Sequence, residues 1–158
     1  MRGKKSPKRA AANDPKYGSA LLGKFINYVM EQGKKTIAQG IMYEAFDKIA
    51  VMSKKNPLKV FEEAVATLSP QVEVRSRRVG GANYQVPMPV RGERQTALAF
   101  RWMIEAARNR KGKPMAEKMA DVINESSQGL GDAIKKRDDV NRMAEANKAF
   151  AHFARFAK

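Results

Sequence analysis

Apolar side chains recur every three or four residues through the first part of the chain, which is the spacing of amphipathic helices. The first such stretch follows Ser19, a suitable N-cap, and extends to Gly33. A second begins near Lys35, and a third begins at Pro57 behind an Asn56 cap. The predicted core positions of these helices are Leu21, Leu22, Phe25, Ile26, Val29 and Met30, then Ile37, Ile41, Ala45, Ile49 and Met52, then Leu58, Phe61, Val65 and Leu68.

After the third helix the period changes to two, which predicts a β-hairpin over residues 72–90 with its turn at Gly80 and Gly81. Pro87 and Pro89 lack N–H groups on the same side of the second strand, so that side must be an unpaired edge. We therefore expect a two-stranded arm. Because an isolated ribbon is marginally stable in water, it should lean on helices at its base or on a partner at its tip.

Helical spacing returns after the hairpin and continues to the C-terminus. Three helices are predicted, over residues 93–110, 115–128 and 132–147, and Phe150, Phe153 and Phe156 continue the spacing. Their predicted core positions include Leu98, Trp102, Ile104, Ala106, Met115, Met119, Val122, Ile123, Ile134, Val140 and Met143. The fold class is therefore mainly α, a bundle of about six helices with a protruding two-stranded β-hairpin arm and a basic, flexible N-terminal tail. We expect residues 1–13 to be the flexible arm and residues 14–158 to be a single helical domain.

Composition adds a positive charge that is unevenly distributed. The 158 residues include 31 Lys and Arg against 16 Asp and Glu, which gives a net charge of +15. Residues 1–35 hold nine basic and two acidic side chains, and residues 71–114 hold ten and three, whereas the other two blocks are nearly neutral. Since such clustering costs self-repulsion, it predicts a polyanionic partner that supplies the missing negative charge.

Several function classes are disfavoured by residue types and spacing. The chain has no Cys and a single His, His152, so disulfides, thiolate nucleophiles and two-histidine metal sites are excluded. The Gly129-Leu130-Gly131 stretch lacks the third glycine of a dinucleotide motif, and Gly33-Lys34 lacks the earlier glycine of a phosphate-binding loop. We expect no enzyme activity, no catalytic residues, no metal, no cofactor and no small-molecule substrate. The longest uncharged run, residues 79–90, is too short to span a bilayer, and residues 1–13 do not resemble a secretory signal, so the protein should stay inside the cell.

Nucleic-acid features are stronger. Arg75 and Arg77 share one face of the predicted ribbon and Arg78 lies on the other, where guanidinium groups can bind phosphates. The alternative is a charged edge that only prevents strand aggregation. The predicted tip adds small, polar and aromatic residues that can approach, stack on or hydrogen-bond bases. These tip residues are Gly80, Gly81, Asn83, Tyr84 and Gln85.

The helix after the ribbon carries Arg94, Arg101 and Arg108 at intervals of seven, nearly on one face. The alternative is a solvated face on which Glu105 pairs with Arg101 and Arg108. The loop that follows, with Arg110, Lys111 and Lys113, extends the same surface, whereas Lys34 and Lys35 could equally stabilise a helix C-terminus. No helix-turn-helix is evident, so surfaces spread over the chain favour a folded RNA. A nucleic-acid chaperone or architectural DNA binder is the rival, and the absence of a matching apolar face disfavours a membrane surface.

Residues 74–87 read VRSRRVGGANYQVP, and this string resembles the universal small-subunit ribosomal protein number seven family in its bacterial or organellar form. Residues 14–17 (DPKY), 25–27 (FIN), 33–35 (GKK) and 143–152 (MAEANKAFAH) agree with it in order along the chain. The resemblance implies a helical protein with a β-ribbon arm that binds the 3′ major domain of small-subunit rRNA and starts assembly of the subunit head. It also implies a place beside the exit-site tRNA and the mRNA exit channel, next to head and platform proteins, in a cytoplasmic or organellar ribosome.

Carried to matching positions, the resemblance implies two groups of contact residues. The rRNA-binding group is Arg2, Lys4, Lys5, Lys8, Arg9, Lys34, Lys35, Arg75, Arg77, Arg78, Arg91, Arg94, Arg101, Arg108, Arg110, Lys111, Lys113 and Met115. The hairpin tip, Gly80, Gly81, Asn83, Tyr84 and Gln85, is the part that should lie near tRNA and mRNA.

Overall fold

The computed structural model describes Gly3 and residues 12–156, and the chain divides into two compact units, Met1–Gly40 and Ile41–Lys158. The single domain expected over residues 14–158 stays a prediction. The basic residues expected in the N-terminal arm lie outside the described residues, namely Arg2, Lys4, Lys5, Lys8 and Arg9.

In the first unit, a buried aspartate organises the approach to helix α1, Ala20–Val29. The carboxylate of Asp14 accepts the backbone N–H groups of Lys16 and Tyr17, at 3.1 and 2.9 Å, which folds the preceding segment into a turn. The Ser19 side chain then accepts the Leu22 N–H at 3.3 Å, which confirms the predicted N-cap. The helix ends at Val29, four residues before the predicted stop at Gly33.

Helix α2, Lys35–Ser53, has its predicted length but not its predicted face. Ile37 and Met52, expected in the core, are 58% and 52% exposed, whereas Met42 and Phe46 are fully buried. The prediction of that stripe is wrong at its two ends. Apolar side chains occur around most of this helix, so periodicity alone cannot select the side that is covered.

Helix α3, Pro57–Leu68, follows the predicted signals closely. The Asn56 side chain accepts the Leu58 N–H at 3.0 Å, and Pro57 occupies the first helical position, where its missing N–H costs nothing. Leu68 is fully buried, as predicted. The rings of Phe46, Phe61 and Phe100 pack in series, with centroids 5.9 and 6.3 Å apart, in the core of the second unit.

The predicted hairpin is present as strands β1, Val72–Val79, and β2, Ala82–Pro89, which pair antiparallel as a two-stranded sheet. Val72 lies opposite Pro89 and Arg77 lies opposite Tyr84. Gly80 and Gly81 form the two-residue turn with φ of 56° and 92°, a left-handed conformation that glycine adopts without strain.

Three further helices and a terminal 3₁₀ helix complete the second unit. They are α4, Glu93–Asn109, α5, Met115–Ser127, α6, Asp132–Ala146, and the 3₁₀ helix, Lys148–Phe156. Met143, expected in the core, is 47% exposed, so that prediction is wrong. The mainly helical class with one β-hairpin is confirmed. No helix among the described residues is long and apolar enough to cross a membrane.

The ribbon is held by the rest of its unit at both ends. Near its base, Val90 packs with Leu98 and Trp102 of α4, and Val140 of α6 covers this cluster. Near its turn, the Tyr84 ring packs on Phe150 and Phe153 of the 3₁₀ helix, with centroids 5.1 and 5.2 Å apart. These contacts provide the helical support that a two-stranded sheet requires.

Replacing Leu68 by Ala should lower the free energy of unfolding by about 2–5 kcal/mol, because it empties a fully buried site at the end of α3. The urea midpoint of the purified protein measures this loss. Val51→Ala is the matched control, since Val51 is 80% exposed, and it should change stability by less than about 0.5 kcal/mol. Equal midpoints for the two variants would contradict the burial of Leu68.

Candidate nucleic-acid interface

Strand alternation places the ribbon's arginines on two faces. Side chains on a strand point alternately to opposite sides, so Arg75 and Arg77 lie on the face that also carries Tyr84, and Arg78 lies on the other face opposite Asn83. This is the division predicted from sequence. Arg78 and Asn83 are exposed, whereas Arg77 is half-buried. We call the face with Arg78 and Asn83 the outer face of the ribbon.

Arg75 is held by an acidic residue of its own strand. The buried carboxylate of Glu73 binds Arg75 through one oxygen and Arg94 of α4 through the other. The two hydrogen bonds from Arg94 measure 3.0 and 2.9 Å. Two of the predicted RNA-binding arginines therefore meet at one carboxylate where the ribbon joins α4.

The other arginines of α4 are on its exposed side. Arg101 and Arg108 lie seven residues apart, and both are exposed. Within the described residues, Arg101 has no ion-pair partner, and exposed Glu105 has none either, so the alternative in which Glu105 pairs with Arg101 is not formed. Arg91, just before the helix, is likewise exposed and unpaired in the part of the chain that the structure describes.

The basic loop after α4 is largely bound to α5. Arg110, whose side chain is 22% exposed, forms an ion pair with Glu125 and lies 3.8 Å from Asp121. The hydrogen bond to Glu125 is the largest cause that raises the pKa of Arg110 above its usual value. Lys113 donates to Asp121 at 2.9 Å, and this hydrogen bond raises the pKa of the Lys113 ammonium. Both cations thus have acidic partners inside the protein.

The remaining residue of that loop and the first residue of α5 differ in exposure. Lys111 is exposed and has no ion-pair partner among the described residues, so its charge faces solvent. Met115 is half-buried at the first position of α5.

In the first unit, Lys34 and Lys35 are both exposed. They do not lie in the last turn of α1, because that helix ends at Val29, so the alternative of a C-terminal helix charge is wrong.

The hairpin tip combines four exposed residues with one that is packed. Gly80, Gly81, Asn83 and Gln85 are exposed around the turn. Tyr84, expected to be available for stacking on bases, is instead half-buried against the two phenylalanines of the 3₁₀ helix. Its ring therefore helps to hold the ribbon, and the tip offers a partner mainly backbone, amide groups and charge.

Three acids that organise these cations were not recognised from sequence, namely Glu73, Asp121 and Glu125. Only Glu73 carried a local signal, because residues two apart on a strand share a face and Glu73 is two residues from Arg75. Asp121 and Glu125 act across a helix junction and leave no short-range pattern. No group of three His, Cys, Asp or Glu with metal-binding geometry occurs among the described residues.

Comparison with known proteins decides the family. A family model described as ribosomal protein S7p/S5e matches residues 1–148. The chain belongs to this family of ribosomal proteins. Small ribosomal subunit protein uS7 of Marinobacter nauticus is 56% identical over 146 residues, covering 92% of this chain and 94% of the relative. The uS7 proteins of Thermotoga neapolitana and Azoarcus are each 54% identical, over 153 and 147 residues, and cover 97% and 93% of this chain.

Family membership confirms the resemblance found in the sequence, and it confirms a structural role in the ribosome in place of an enzymatic one. It also changes how the surface is interpreted. In a ribosomal protein, exposed cations without internal partners are candidates for phosphate contacts, whereas cations bound to internal acids first stabilise the fold.

Arg110 and Arg101 should therefore respond differently to truncation. Arg110→Ala should lower the free energy of unfolding by about 1–3 kcal/mol, because it leaves Glu125 without its charged partner in a partly buried site. Arg101→Ala should change it by less than about 0.5 kcal/mol, since Arg101 is exposed and unpaired among the described residues. Urea unfolding of both variants tests this difference. A larger loss in Arg101→Ala would contradict it.

Proposed function

We propose that this protein is a structural component of the small ribosomal subunit that binds the 3′ major domain of its rRNA and starts assembly of the subunit head. Its relatives over nearly the whole chain are named small ribosomal subunit protein uS7, which supports the subunit and the RNA class. We further propose that its neighbours are other head and platform proteins and that its location is a ribosome of the cytoplasm or of an organelle.

One observation carries the proposal. Of the ten basic residues in residues 71–114, five have no ion-pair partner among the described residues. They are Arg77, Arg78, Arg91, Arg101 and Lys111. Unpaired guanidinium and ammonium groups are well suited to bind phosphate oxygens, because no internal acid has to be displaced first. Their spread over ribbon, helix and loop suits a folded RNA better than a single groove of duplex DNA.

The triple variant Arg78→Ala, Arg91→Ala, Arg101→Ala should bind an isolated head-domain rRNA fragment roughly tenfold or more weakly. Its plot of log affinity against log salt should also be shallower by about two to three, since fewer counterions are released when phosphate contacts are lost. Filter binding or fluorescence anisotropy over a salt series measures both quantities. All three residues are exposed, so the fold should be unaffected.

A matched control separates local contacts from net charge. The control is the triple variant Lys135→Ala, Arg142→Ala, Lys148→Ala. It also removes three positive charges, but from exposed residues that each pair with an acid three residues away. This control should keep most of the affinity and the salt slope. Equal losses in the two triple variants would contradict the proposed surface, and tighter binding of wild type to duplex DNA than to the fragment would favour the DNA-binding rival.

For the ribbon's tip we propose a position beside the exit-site tRNA and the mRNA exit channel. The outer face and turn support it, because Asn83 and Gln85 are exposed next to a glycine turn that another backbone can approach closely. Asn83→Ala, Gln85→Ala should leave binding to the rRNA fragment within about twofold of wild type. Reconstituted subunits should then release exit-site tRNA faster. Unchanged tRNA release would contradict this placement of the tip.

A further inference from the structure

Glu73 is an unusual residue for a surface that is expected to meet RNA. Its side chain is buried, with the whole residue 7% exposed, in a block where basic residues outnumber acidic ones by ten to three. A carboxylate close to a polyanion is repelled by it, and burial of a charge costs free energy unless it is paired. Its contacts must therefore compensate for both costs.

The contacts divide the carboxylate between two elements. Oε1 accepts a hydrogen bond from Nε of Arg75 on β1, and Oε2 accepts from Nε and Nη2 of Arg94 on α4, at 3.0 and 2.9 Å. Both arginine side chains remain about half exposed, at 50% and 42%. A guanidinium group has five N–H donors, so each arginine keeps donors that Glu73 does not use.

The arrangement brings two guanidinium groups to one carboxylate and leaves a net positive charge. Without Glu73 the two cations would repel each other, and each long side chain would lose its rotamer entropy only when a ligand bound. With Glu73 both are ordered beforehand, and preorganisation of this kind lowers the cost of binding.

We propose that Arg75 and Arg94 form a joint binding site for one phosphodiester group of RNA, and that Glu73 is the positioning residue that assembles it. The inference rests on the proposed function, which supplies the RNA. The ligand is a phosphate because the free donors are guanidinium N–H groups, which bind planar or tetrahedral oxyanions in pairs. The site lies at the base of the ribbon, away from the tip.

A purely structural role for Glu73 predicts a different response of RNA affinity. If the carboxylate only fastened the ribbon to α4, its neutralisation would weaken the fold but would remove a repulsive charge from the RNA surface. Affinity per folded molecule would then stay equal or rise. A joint phosphate site predicts that RNA affinity falls when Glu73 is neutralised. The sign of the change in affinity therefore distinguishes a positioning role from a purely structural one.

The test compares Glu73→Gln with Glu105→Gln, on the rRNA head-domain fragment and over a salt series. Both variants remove one negative charge, but Glu105 is exposed and has no ion-pair partner among the described residues. Glu73→Gln replaces one carboxylate oxygen by an NH2 group, which is a donor only, so one of the two arginines loses its acceptor. This variant should bind about tenfold more weakly, the loss of roughly one charge-assisted hydrogen-bonded contact. The slope of log affinity against log salt for Glu73→Gln should be shallower by about one, the contribution of one phosphate contact. Glu105→Gln should bind the fragment as tightly as wild type or more tightly.

Folding is checked by circular dichroism and the urea midpoint, and affinities are corrected for the folded fraction. If Glu73→Gln does not fold, Arg94→Lys replaces it, because lysine keeps the charge but cannot form the two-pronged contact. Arg94→Lys should likewise bind several-fold more weakly. In the Arg75→Ala, Arg94→Ala background, Glu73→Gln should cause no further loss of affinity, because only the repulsion between its carboxylate and the RNA is then removed.

The outcomes distinguish this site from the proposed function itself. Failure of wild type to bind the fragment would overturn the proposed function and the site together. Normal wild-type binding, with Glu73→Gln binding as tightly as Glu105→Gln, would overturn the joint phosphate site but not the proposed function. Glu73 would then only stabilise the contact between the ribbon and α4. A weaker Glu73→Gln with an unchanged salt slope would also overturn it, because no phosphate contact would have been lost.

Discussion

The ring contact of Tyr84 with Phe150 and Phe153 is the interaction on which the position of the ribbon's far end depends. Two strands alone cannot bury enough apolar surface to be stable in water, and the glycine turn adds backbone freedom at the ribbon's far end. Because the rings hold one face of β2, the outer face is left to solvent. The surface that a partner can reach is thus set by which face the rings occupy, and this is why Arg78 and Asn83 are exposed while Arg77 is half-buried.

Pairing of cations with internal acids divides a uniformly basic stretch into two kinds of residue. Arg110 and Lys113 bind acids of α5, so truncating them disturbs the junction between helices before it disturbs any RNA contact. Gly131 belongs to the same junction, since a side chain there would collide with the Glu125 carboxylate. Charge counting along the chain cannot detect this division, because Asp121 and Glu125 come from a block that is nearly neutral as a whole.

Local signals explain which parts of the structure could be predicted. The Ser19 and Asn56 caps and the Gly80-Gly81 turn are each set by neighbouring residues, and all three were predicted correctly. The buried face of α2 could not be predicted in this way, because the elements that pack against the helix determine that face and the periodicity of the helix does not. Tyr84 shows the same limit. An aromatic residue beside a glycine turn is compatible both with base stacking and with internal packing, and only its contact with a segment far along the chain distinguishes them.

The two supports of the ribbon also come from different parts of the chain. The base support, from Glu73 to Arg94 and around Val90, lies wholly inside the 1–148 range that matches the family model, whereas Phe150 and Phe153 lie beyond it. Sequence change in the terminal segment can therefore alter how the turn end is held without disturbing the base. Such separation suits the two tasks proposed for the ribbon, because the proposed rRNA contacts at the base require fixed geometry whereas the proposed place of the tip beside tRNA and mRNA requires adjustable geometry. Under this view the paired arginines at the base are ordered before RNA arrives, and the unpaired residues on the outer face become ordered only on contact.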